Sequence, residues 1–577
     1  MKWIRVNMSD LSVKVEEAPK KYEQMGGRWL TSSVIADEVP ATCHPLGPLN
    51  KVVIAPGILS GTTAPSSGRI SVGTKSPLTG GIKEANAGAK FGQYLKRMGY
   101  SAIIIEGQPK DKESRYLLNI NKEKLELVDA SEYKFMGLYE LSEKLASKYG
   151  KDVGIASVGP AAEHLLAGTG IAFNDIENAP ARYAGRGGVG AVFASKGLKA
   201  IVTEAVTGQA TILNHELFET GRKKLLSALQ EHAVTKPKGA LNTYGTAVLV
   251  NILNEAGALP TRNFSRGTFE GAKKISGEAM AEAAAKNPKA GMMGHRCHPG
   301  CVIGCSVIYP DAQGKSHTSV EYETLWAIGA NCEIDDLDAI AQMNSMCNDI
   351  GLDTIEFGDA VAVAMEGGLL PFGDAKGAIA LLEEVKKGSP LGKIIGSGCG
   401  TVGKVFGVRR VPAVKNQGMP AYEPRVIKGI GVTYITTPMG ADHTAGYSIA
   451  PEILGVGGKP DPHTNEGKVK LSKDFQATTC FIDSTGCCVF TAFAILDIPS
   501  GFEGMVEACN AVTGANWTTS EAFEIGLNVL KMEHQYNLSA GFSANDDRPP
   551  EFMKLEPVPP HNMVWDMADS ELDSMWK

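Results

Sequence analysis

The sequence predicts an α+β multidomain protein, in which a β-rich first part is followed by two mainly α-helical parts. Apolar runs typical of buried strands occur at residues 51–55, 101–105 and 198–202. From about residue 210, apolar residues recur at the spacing of helices instead. A chain of 577 residues is long enough for about three domains. We therefore predict that the three parts comprise residues 1–208, 209–415 and 416–577.

One loop of the first part has the spacing of a nucleotide-binding motif. Residues 185–190 read Gly-x-Gly-x-x-Gly, but the segment before them is polar and contains Pro180. No strand is therefore expected to lead into this loop, which disfavours a Rossmann site. Its backbone N–H groups, flanked by Arg182 and Arg186, suit phosphate oxygens. A plain turn with solvated arginines is the alternative.

A second stretch of the first part is rich in small residues. Asn86, Ala87 and Gly88 stand in a glycine-dotted segment that we predict to be a helix packed closely on a sheet or a ligand. In the second part, helices are predicted at 240–257, 273–286 and 335–350. The last begins at an aspartate pair and ends at Gly351. Apart from one short repeat described below, we find no long internal repeat.

Composition and charge exclude several functional classes. The formal net charge is -7, and no dense basic patch is present, which argues against a nucleic-acid-binding protein. No run of about 18 apolar residues predicts a membrane span, and residues 1–15 are too polar for a signal peptide. Eleven cysteines are too sparse for a disulfide scaffold. We therefore expect a cytoplasmic protein whose clustered cysteines ligate a metal.

Three cysteines recur at steps of four residues, at Cys297, Cys301 and Cys305. Proline and glycines between them make a helix unfavourable, so the segment is predicted to be a loop around a bound group. An iron–sulfur cube or a structural zinc requires a fourth ligand. Cys487 and Cys488, far downstream, are the candidate pair.

Two six-residue segments share a pattern at 348–353 and 483–488. Each has an Asp or Asn, then two residues, a glycine, one residue, and an Asp or Cys. The polar groups on both sides of such a glycine are held at a sharp turn. A carboxylate there accepts paired N–H donors such as those of a pterin ring. Two ordinary helix C-termini are the alternative.

Motifs along nearly the whole chain resemble the tungsten-containing aldehyde:ferredoxin oxidoreductase family. The resemblance rests on the order and completeness of segments that are individually weak. They include the two hexads, the three spaced cysteines, Cys488, and residues 66–69, 74–80, 86–88, 182–190, 259–264, 321–324, 420–425 and 440–443.

The resemblance implies a base of two related β-sheets and a tungsten, or molybdenum, atom held by two pyranopterins. It implies a [4Fe-4S] cluster on Cys297, Cys301, Cys305 and Cys488, although the first cysteine spacing is one residue longer than is common in the family. Zinc is the alternative for four thiolates. A bridging Mg²⁺ would take the side-chain oxygen of Asn86 and the carbonyl of Tyr183. The other positions expected to contact the cofactor are Arg69, Ala87, Gly88, Arg182, Gly185, Arg186, Asn348, Gly351, Leu352, Asp353, Asp483 and Cys487.

The implied activity is oxidation of an aldehyde to the carboxylic acid. Glu323 and His443 match the active-site acid and histidine of the family, and Tyr422 matches a tyrosine near the metal in some members. Glu321 is the second choice for the acid, because on an extended segment it would share the face of Glu323. A loop histidine bonded to backbone and a surface carboxylate are the alternatives for His443 and Glu321. Ala445 replaces a basic residue of several members, which leaves the substrate open.

The electron acceptor implied by the resemblance is ferredoxin or a small iron–sulfur subunit, in a homo-oligomer or a larger redox complex. Three other functions stay open at this point. They are a reductase subunit like those that reduce aromatic thioesters, an oxidoreductase of a non-aldehyde substrate, and a non-enzymatic carrier of pterin or metal. Retention of both Glu323 and His443 argues against the carrier.

Overall fold

Two six-stranded sheets form the first part of the protein, of which the computed structural model describes all residues, 1–577. The three predicted buried runs are confirmed as β3, β6 and β12. The first sheet contains β1 (Lys2–Asn7), β2 (Ser12–Glu17), β3 (Val52–Pro56), β4 (Arg69–Lys75), β5 (Ile82–Gly88) and β6 (Tyr100–Glu106). The second contains β7 (Tyr116–Ile120), β8 (Leu125–Asp129), β9 (Gly154–Ser157), β10 (Ile171–Phe173), β11 (Arg182–Ala184) and β12 (Leu198–Thr203).

The two sheets share one topology. Their strand orders are β2-β1-β6-β3-β4-β5 and β8-β7-β12-β9-β10-β11, so each strand has a counterpart six strands later. Each sheet has one parallel pair, β1 with β6 and β7 with β12. The expectation of two related sheets is therefore confirmed, and the expectation of no long internal repeat is wrong. The repeat is hidden because β10 and β11 have three residues each where β4 and β5 have seven.

Five helices accompany the sheets, and their positions correct one prediction. Asn86, Ala87 and Gly88 lie on β5, where Asn86 pairs with Ser71, and not in a helix. Six of the seven residues of β5 are buried. A strand that is buried on both faces shows no apolar alternation, and a run of small residues then resembles a buried helix. The helices are α1 (Gly27–Glu38), α2 (Lys90–Arg97), α3 (Leu138–Tyr149), α4 (Pro160–Glu163) and α5 (Val189–Ser195).

A short strand also leads into the glycine loop at 185–188, contrary to prediction. β11 ends at Ala184, and α5 begins at Val189. Even so, β11 and β12 are separated in the sheet by β10 and β9, and the pairings make them antiparallel. The unit is thus not the parallel βαβ crossover of a dinucleotide-binding fold. The topology therefore excludes the Rossmann site, although the strand that was expected to be absent before the loop is present.

Helices dominate after β12, as predicted. The long helix expected at 335–350 is α11, which Asp336 caps at its start and Gly351 ends. The helices up to residue 415 are α6 (His215–Glu231), α7 (Ala240–Tyr244), α8 (Leu249–Glu255), α9 (Gly277–Lys286), α10 (Tyr322–Thr324), α11 (Leu337–Ile350), α12 (Thr354–Glu366), α13 (Ala375–Lys387), α14 (Pro390–Ile395) and α15 (Cys399–Phe406). Those after it are α16 (Lys428–Thr436), α17 (Ile449–Glu452), α18 (Lys468–Thr485), α19 (Thr491–Asp497), α20 (Pro499–Thr513), α21 (Thr519–Ser539), α22 (Glu551–Leu555) and α23 (Asp569–Leu572).

Two small sheets complete the helical region. A three-stranded sheet flanks the triple-cysteine loop, and a two-stranded ribbon lies before α16. Their strands are β13 (Met292–His295), β14 (Ser306–Pro310), β15 (Ser316–Thr318), β16 (Ala413–Val414) and β17 (Gln417–Gly418).

The cores show how the parts are joined. One cluster of 28 buried residues contains strands from both large sheets. A larger cluster of 89 buried residues extends through the helices on both sides of residue 415. The division at 415 therefore stays a prediction, since the two helical parts share one core. No helix has both the length and the apolar character that a membrane crossing requires.

Candidate active site

Two adjoining cavities lie where the sheets meet the helices. Their volumes are about 260 Å³ and 250 Å³. Glu321, Glu323 and Tyr422 line the first cavity, and Asp353 and Asp483 line the second. The predicted catalytic residues and the predicted cofactor acids are thus brought together. The residues that line both cavities are Arg69, Tyr183, His443, Thr444 and Val489.

The two hexads form matching turns at the ends of α11 and α18. Their glycines, Gly351 and Gly486, have φ angles of 82° and 84°, in the left-handed region that favours glycine. Gly57, in the loop after β3, lies so close to one turn that a Cβ on it would be 2.1 Å from the backbone nitrogen of Gly486. A loop glycine after β9, the counterpart of β3, presses on the other, since a Cβ on Gly159 would lie 2.3 Å from the carbonyl oxygen of Ile350. Each of the duplicated sheets therefore supports one turn.

Buried ion pairs fix the acids of the second cavity. Arg186 Nε lies 3.1 Å from Asp353 Oδ2, and Arg28 Nη1 lies 3.4 Å from Asp483 Oδ2. Burial, with the neighbouring Glu84, raises the pKa of Asp483 to about 8 despite Arg28. Burial likewise raises the pKa of Asp353, against the opposing effect of Arg186. Both carboxyl groups are therefore protonated more easily than ordinary aspartates.

A second pair in this cavity joins Lys83 to Asp442. Lys83 Nζ lies 3.2 Å from Asp442 Oδ2, and both side chains are buried. Burial alone would raise the pKa of Asp442, but Lys83 and Arg186 outweigh it and hold that pKa below its ordinary value. Asp442 is therefore ionised. Arg28, Lys83 and Glu84 were not predicted as site residues, because no motif marks them.

Glu323 and His443 form the centre of the first cavity. His443 Nε2 lies 3.3 Å from Glu323 Oε1, and Glu323 Oε2 accepts a hydrogen bond of 3.1 Å from the backbone of Ala421. Burial raises the pKa of Glu323 to about 8 and lowers the pKa of His443 to about 4. Glu323 Oε1 and His443 Nδ1 have no hydrogen-bond partner in the protein. Buried polar atoms of this kind indicate a bound group or solvent.

Tyr422 closes the same cavity. Its ring centroid is 5.8 Å from that of His443, and its hydroxyl is 2.8 Å from the hydroxyl of Tyr447. Tyr447 was not predicted as a site residue. It stands four positions after His443 on the loop before α17, a proximity that could have suggested it.

Glu321 also lines the first cavity, but its oxygens are engaged. Ser306 donates a hydrogen bond of 2.6 Å to Oε1, and Thr246 donates one of 2.7 Å to Oε2. The extended segment ends at Glu321, and Glu323 lies in α10, so the two do not share the face of a strand. The structure thus favours Glu323 as the acid with a free oxygen.

The triple-cysteine segment is a loop between β13 and β14, as predicted. Cys297, Cys305 and Cys488 line the first cavity. The sulfur of Cys301 lies within 4.8 Å of the sulfur of Cys297. A hydrogen bond from Cys297 is the main cause that lowers the pKa of Cys301 to about 6. Cys487 instead lies buried in the large apolar core and lines neither cavity. A role in contacting the cofactor is therefore not supported for Cys487.

One residue of this loop, His298, was not predicted. It is fully buried, and its Nδ1 donates a hydrogen bond of 2.9 Å to the carbonyl oxygen of Pro299. Its Nε2 has no partner. One ring nitrogen and the sulfurs of Cys297 and Cys301 all lie within 4.8 Å of one another. His298 therefore belongs to the surroundings of the cysteine set.

The remaining predicted cofactor residues divide into two groups. Arg69 Nε donates to the Oδ1 of Asn86, and Tyr183 Oη donates to the carbonyl oxygen of Asn348 at 2.5 Å. Those that line at least one cavity are Arg69, Asn86, Ala87, Gly88, Arg182, Tyr183, Gly185, Arg186, Asp353 and Asp483. Those that line neither are Asn348, Gly351, Leu352 and Cys487, of which the first three belong to the turn that presents Asp353.

Comparison with known protein families agrees with this geometry. Residues 3–205 match the model of the N-terminal domain of aldehyde ferredoxin oxidoreductase, and residues 221–577 match the model of its domains 2 and 3. The chain belongs to the aldehyde ferredoxin oxidoreductase family. The predicted resemblance is confirmed.

Curated members of the aldehyde ferredoxin oxidoreductase family align along nearly the whole chain. The tungsten-containing aldehyde ferredoxin oxidoreductase of Pyrococcus furiosus is 38% identical, covering 97% of this chain and 92% of that protein. The enzyme of the same name from Thermococcus kodakarensis is 36% identical, with the same coverage. A WOR-like subunit of an aliphatic sulfonate oxidoreductase from Pyrococcus furiosus is 26% identical, over 94% of this chain and 87% of that protein.

The fold is also similar to a solved structure. The active-site complex BamBC of benzoyl coenzyme A reductase, in complex with 1,5-dienoyl-CoA, superposes with a TM-score of 0.81. The match covers all of this chain and 93% of that one, at 18% identity. At this identity the comparison supports the α+β fold alone.

Proposed function

We infer that this member of the aldehyde ferredoxin oxidoreductase family oxidises an aldehyde to the carboxylic acid, using a tungsten bis(pyranopterin) cofactor. The observation that carries the proposal is the Glu323–His443 pair, which lines the same cavity as Cys297, Cys305 and Cys488 and whose histidine also lines the cavity of the hexad acids. The identity of 38% to a tungsten-containing aldehyde ferredoxin oxidoreductase supports the same reaction. Aldehyde and water give the acid, two protons and two electrons.

The residues of the second cavity fit the cofactor. No cysteine lines this cavity, so sulfur ligands for a metal there would come from the dithiolenes of the pterins and not from the protein. Asp353 and Asp483 are suited to the N–H donors of two pterin rings. The unpartnered Nε of Arg182, on the first cavity, is suited to a phosphate oxygen. When bound, the cofactor supplies the two-electron oxidation.

A Mg²⁺ ion is proposed between the two sheets. Asn86 lies on β5 and Tyr183 on β11, which are counterpart strands of the duplication, and both residues line the second cavity. The side-chain oxygen of Asn86 and the carbonyl oxygen of Tyr183 are the hard donors that Mg²⁺ prefers, with phosphates as further ligands. Asn86 Oδ1 also accepts a hydrogen bond from Arg69, which leaves one lone pair for the ion.

The proposed [4Fe-4S] cluster is held by Cys297, Cys301, Cys305 and Cys488. Cys488 enters this set from the end of the second hexad, two residues after the turn glycine Gly486. A cluster held there would lie next to the cavity proposed for the pterins, an arrangement that suits electron transfer. We propose ferredoxin or a small iron–sulfur subunit as the acceptor.

Glu323 is proposed as the base that accepts a proton from water or from the hydrated aldehyde. Its pKa of about 8 allows it to gain and lose a proton near neutral pH. His443, neutral because of its low pKa, is proposed to donate a hydrogen bond to the oxygen on which negative charge develops. Tyr422, whose ring faces His443, orients the substrate and excludes water.

Anaerobic purification followed by elemental analysis and electron paramagnetic resonance tests the cofactor. We expect tungsten or molybdenum, about four iron atoms per chain, and aldehyde-dependent reduction of ferredoxin. Zinc without tungsten or molybdenum would overturn the proposal. Activity that appears only with an obligatory partner, and with no aldehyde, would favour the thioester reductase instead.

Three further assignments are proposed, which concern the division into parts, the location and the assembly. The proposed division at 208 follows the change from sheets to helices, and the proposed division at 415 falls at the turn between β16 and β17. A cytoplasmic location fits a reduced cysteine set. Assembly into a homo-oligomer or a larger redox complex is tested by mass in solution with and without the electron acceptor.

A further inference from the structure

A third cavity of about 120 Å³ lies beside the first, between α18 and α19. We call it the side pocket. The walls it shares with the first cavity are Tyr447, Val489 and Phe490. The chemistry proposed above does not use this pocket, and no residue unique to it was predicted as a site residue.

The side pocket is apolar and aromatic. Phe493 is 4% exposed, and its ring stacks with that of Phe490 at a centroid distance of 5.8 Å. The rings of Tyr447 and Phe493 meet edge to face, with their centroids 6.0 Å apart. Phe475 and Leu496 complete the walls on the two helices. The polar residues of its lining are Asp474, Thr478 and Thr479, and the other nine of the twelve are apolar. A mainly apolar interior of this kind favours an apolar occupant over water.

The volume indicates how large the occupant is. A buried apolar cavity of about 150 Å³ is known to hold benzene. The side pocket, at about 120 Å³, therefore suits a phenyl ring or an alkyl chain of similar volume.

Two tyrosines in contact link the wall of the side pocket to the catalytic pair. Tyr447, on the shared wall, has its hydroxyl 2.8 Å from that of Tyr422. The ring of Tyr422 is 5.8 Å from that of His443, which in turn is 3.3 Å from Glu323. The side pocket and the first cavity are thus separated only by the side chains of Tyr447, Val489 and Phe490, and a substrate tail would enter the pocket past these residues.

We propose that the side pocket binds the apolar tail of the substrate, so that the protein prefers aldehydes that end in a phenyl ring or an alkyl chain over short aldehydes. This inference rests on the proposed function and specifies its substrate class. Tyr447 and Phe490 form the passage between the tail and the aldehyde group. Burial of each methylene in the pocket is expected to improve kcat/KM by about fourfold.

Steady-state kinetics of the holoenzyme test this selection. Wild-type kcat/KM should be more than tenfold higher for hexanal than for acetaldehyde. Ala492→Leu and Leu496→Trp each fill the pocket and should lower this ratio at least tenfold, through the KM of hexanal. Phe475→Ala widens the pocket and should move the preferred chain length upward. Leu555→Trp is the matched control, at a surface position that is 68% exposed and lines none of the three cavities.

Binding of the product acids to the oxidised holoenzyme, with no electron donor present, gives a readout that does not depend on turnover. Calorimetry should show hexanoate binding to the wild-type holoenzyme at least tenfold more tightly than acetate, and Ala492→Leu should remove that difference. Equal ratios in wild type and all variants would overturn the inference while leaving aldehyde oxidation intact. Absence of oxidation with every aldehyde would instead overturn the proposed function. Elemental analysis of each variant confirms that the cofactor is loaded.

Discussion

His443 Nε2 and Glu323 Oε1 lie 3.3 Å apart in the first cavity, and burial shifts their pKa values in opposite directions. The pKa of Glu323 rises to about 8, and that of His443 falls to about 4. Between these values the histidine is neutral and the carboxyl group holds its proton. The pair therefore carries no net charge at neutral pH, and the carboxyl group must ionise before it accepts a proton.

The first prediction concerns the pH dependence of oxidation. Because Glu323 acts in its ionised form, kcat of the holoenzyme should rise about tenfold per pH unit below pH 8 and level off above it. Glu323→Gln should lower kcat by a factor of about 10² to 10⁴ and remove this rise. Steady-state rates between pH 6 and 9 measure both effects.

Glu321→Gln is the control for that experiment. Both oxygens of Glu321 are held by Ser306 and Thr246, so its replacement should leave the midpoint of the pH profile near 8. A profile that is level in the wild type, or unchanged in Glu323→Gln, would contradict the assignment of the base.

The second prediction separates the adjacent cysteines. Cys488 lines the first cavity with Cys297 and Cys305, whereas Cys487 is packed in the apolar core. Cys488→Ser should reduce the iron content or change the cluster signal in electron paramagnetic resonance. Cys487→Ser should leave both unchanged and lower only the thermal stability. Loss of the cluster in Cys487→Ser, with retention in Cys488→Ser, would reverse the ligand assignment.

The sequence allowed the turns and the thiolates to be predicted, because each has a local signature. A left-handed glycine at the end of a helix, as at Gly351, follows from caps and apolar spacing. The loop around Cys301 follows from proline and glycine between the cysteines. The placement of Glu323 and His443 was implied by family resemblance and not by any local rule.

Other parts of the site could not be predicted, because they depend on contacts between distant segments. Arg28 reaches Glu533 from a position 505 residues earlier, and neither stands in a motif. The small residues around Asn86 led to the wrong prediction of a helix, because a strand that is buried on both faces shows no alternation of apolar and polar residues. The duplication of the sheets was visible only in the order of the strands.

The third prediction tests the contact between a sheet and a hexad turn. A Cβ on Gly57 would lie 2.1 Å from the nitrogen and 2.2 Å from the Cα of Gly486, so the backbone of one loop must move. Gly57→Ala should therefore lower Tm and reduce the tungsten content, because the moved turn carries Asp483. Elemental analysis and calorimetry measure these changes.

Gly407→Ala is the control for this contact. Gly407 has a φ of 68° at the end of α15, and a Cβ there would meet open space. Its replacement should cost only about 1–2 kcal/mol for the left-handed conformation and should leave the tungsten content intact. Normal cofactor loading in Gly57→Ala would show that the turn tolerates displacement.

The last prediction concerns the buried network around Arg28. Its Nη2 lies 2.8 Å from Glu533 Oε2, and its Nη1 lies 3.4 Å from Asp483 Oδ2. Arg28→Met leaves these buried carboxyl groups without their cation, which should destabilise the fold by about 3–5 kcal/mol at pH 8. Arg222→Met, which removes a half-exposed pair with Glu219, should cost no more than about 1 kcal/mol.

The pH dependence of this loss has a definite sign. Burial already raises the pKa of Asp483 in the folded protein to about 8, and removal of Arg28 raises it further. A carboxyl group with a raised pKa in the folded state destabilises the fold above the pKa of the unfolded chain, and this penalty grows with pH until it levels off at the folded pKa. Up to about pH 8 the penalty is nearly the same in wild type and Arg28→Met, and above pH 8 it keeps growing only in the variant. The difference in Tm between the two proteins should therefore be larger at pH 9 than at pH 5. An equal or smaller difference at pH 9 would show that Arg28 stabilises the fold by packing and not by charge.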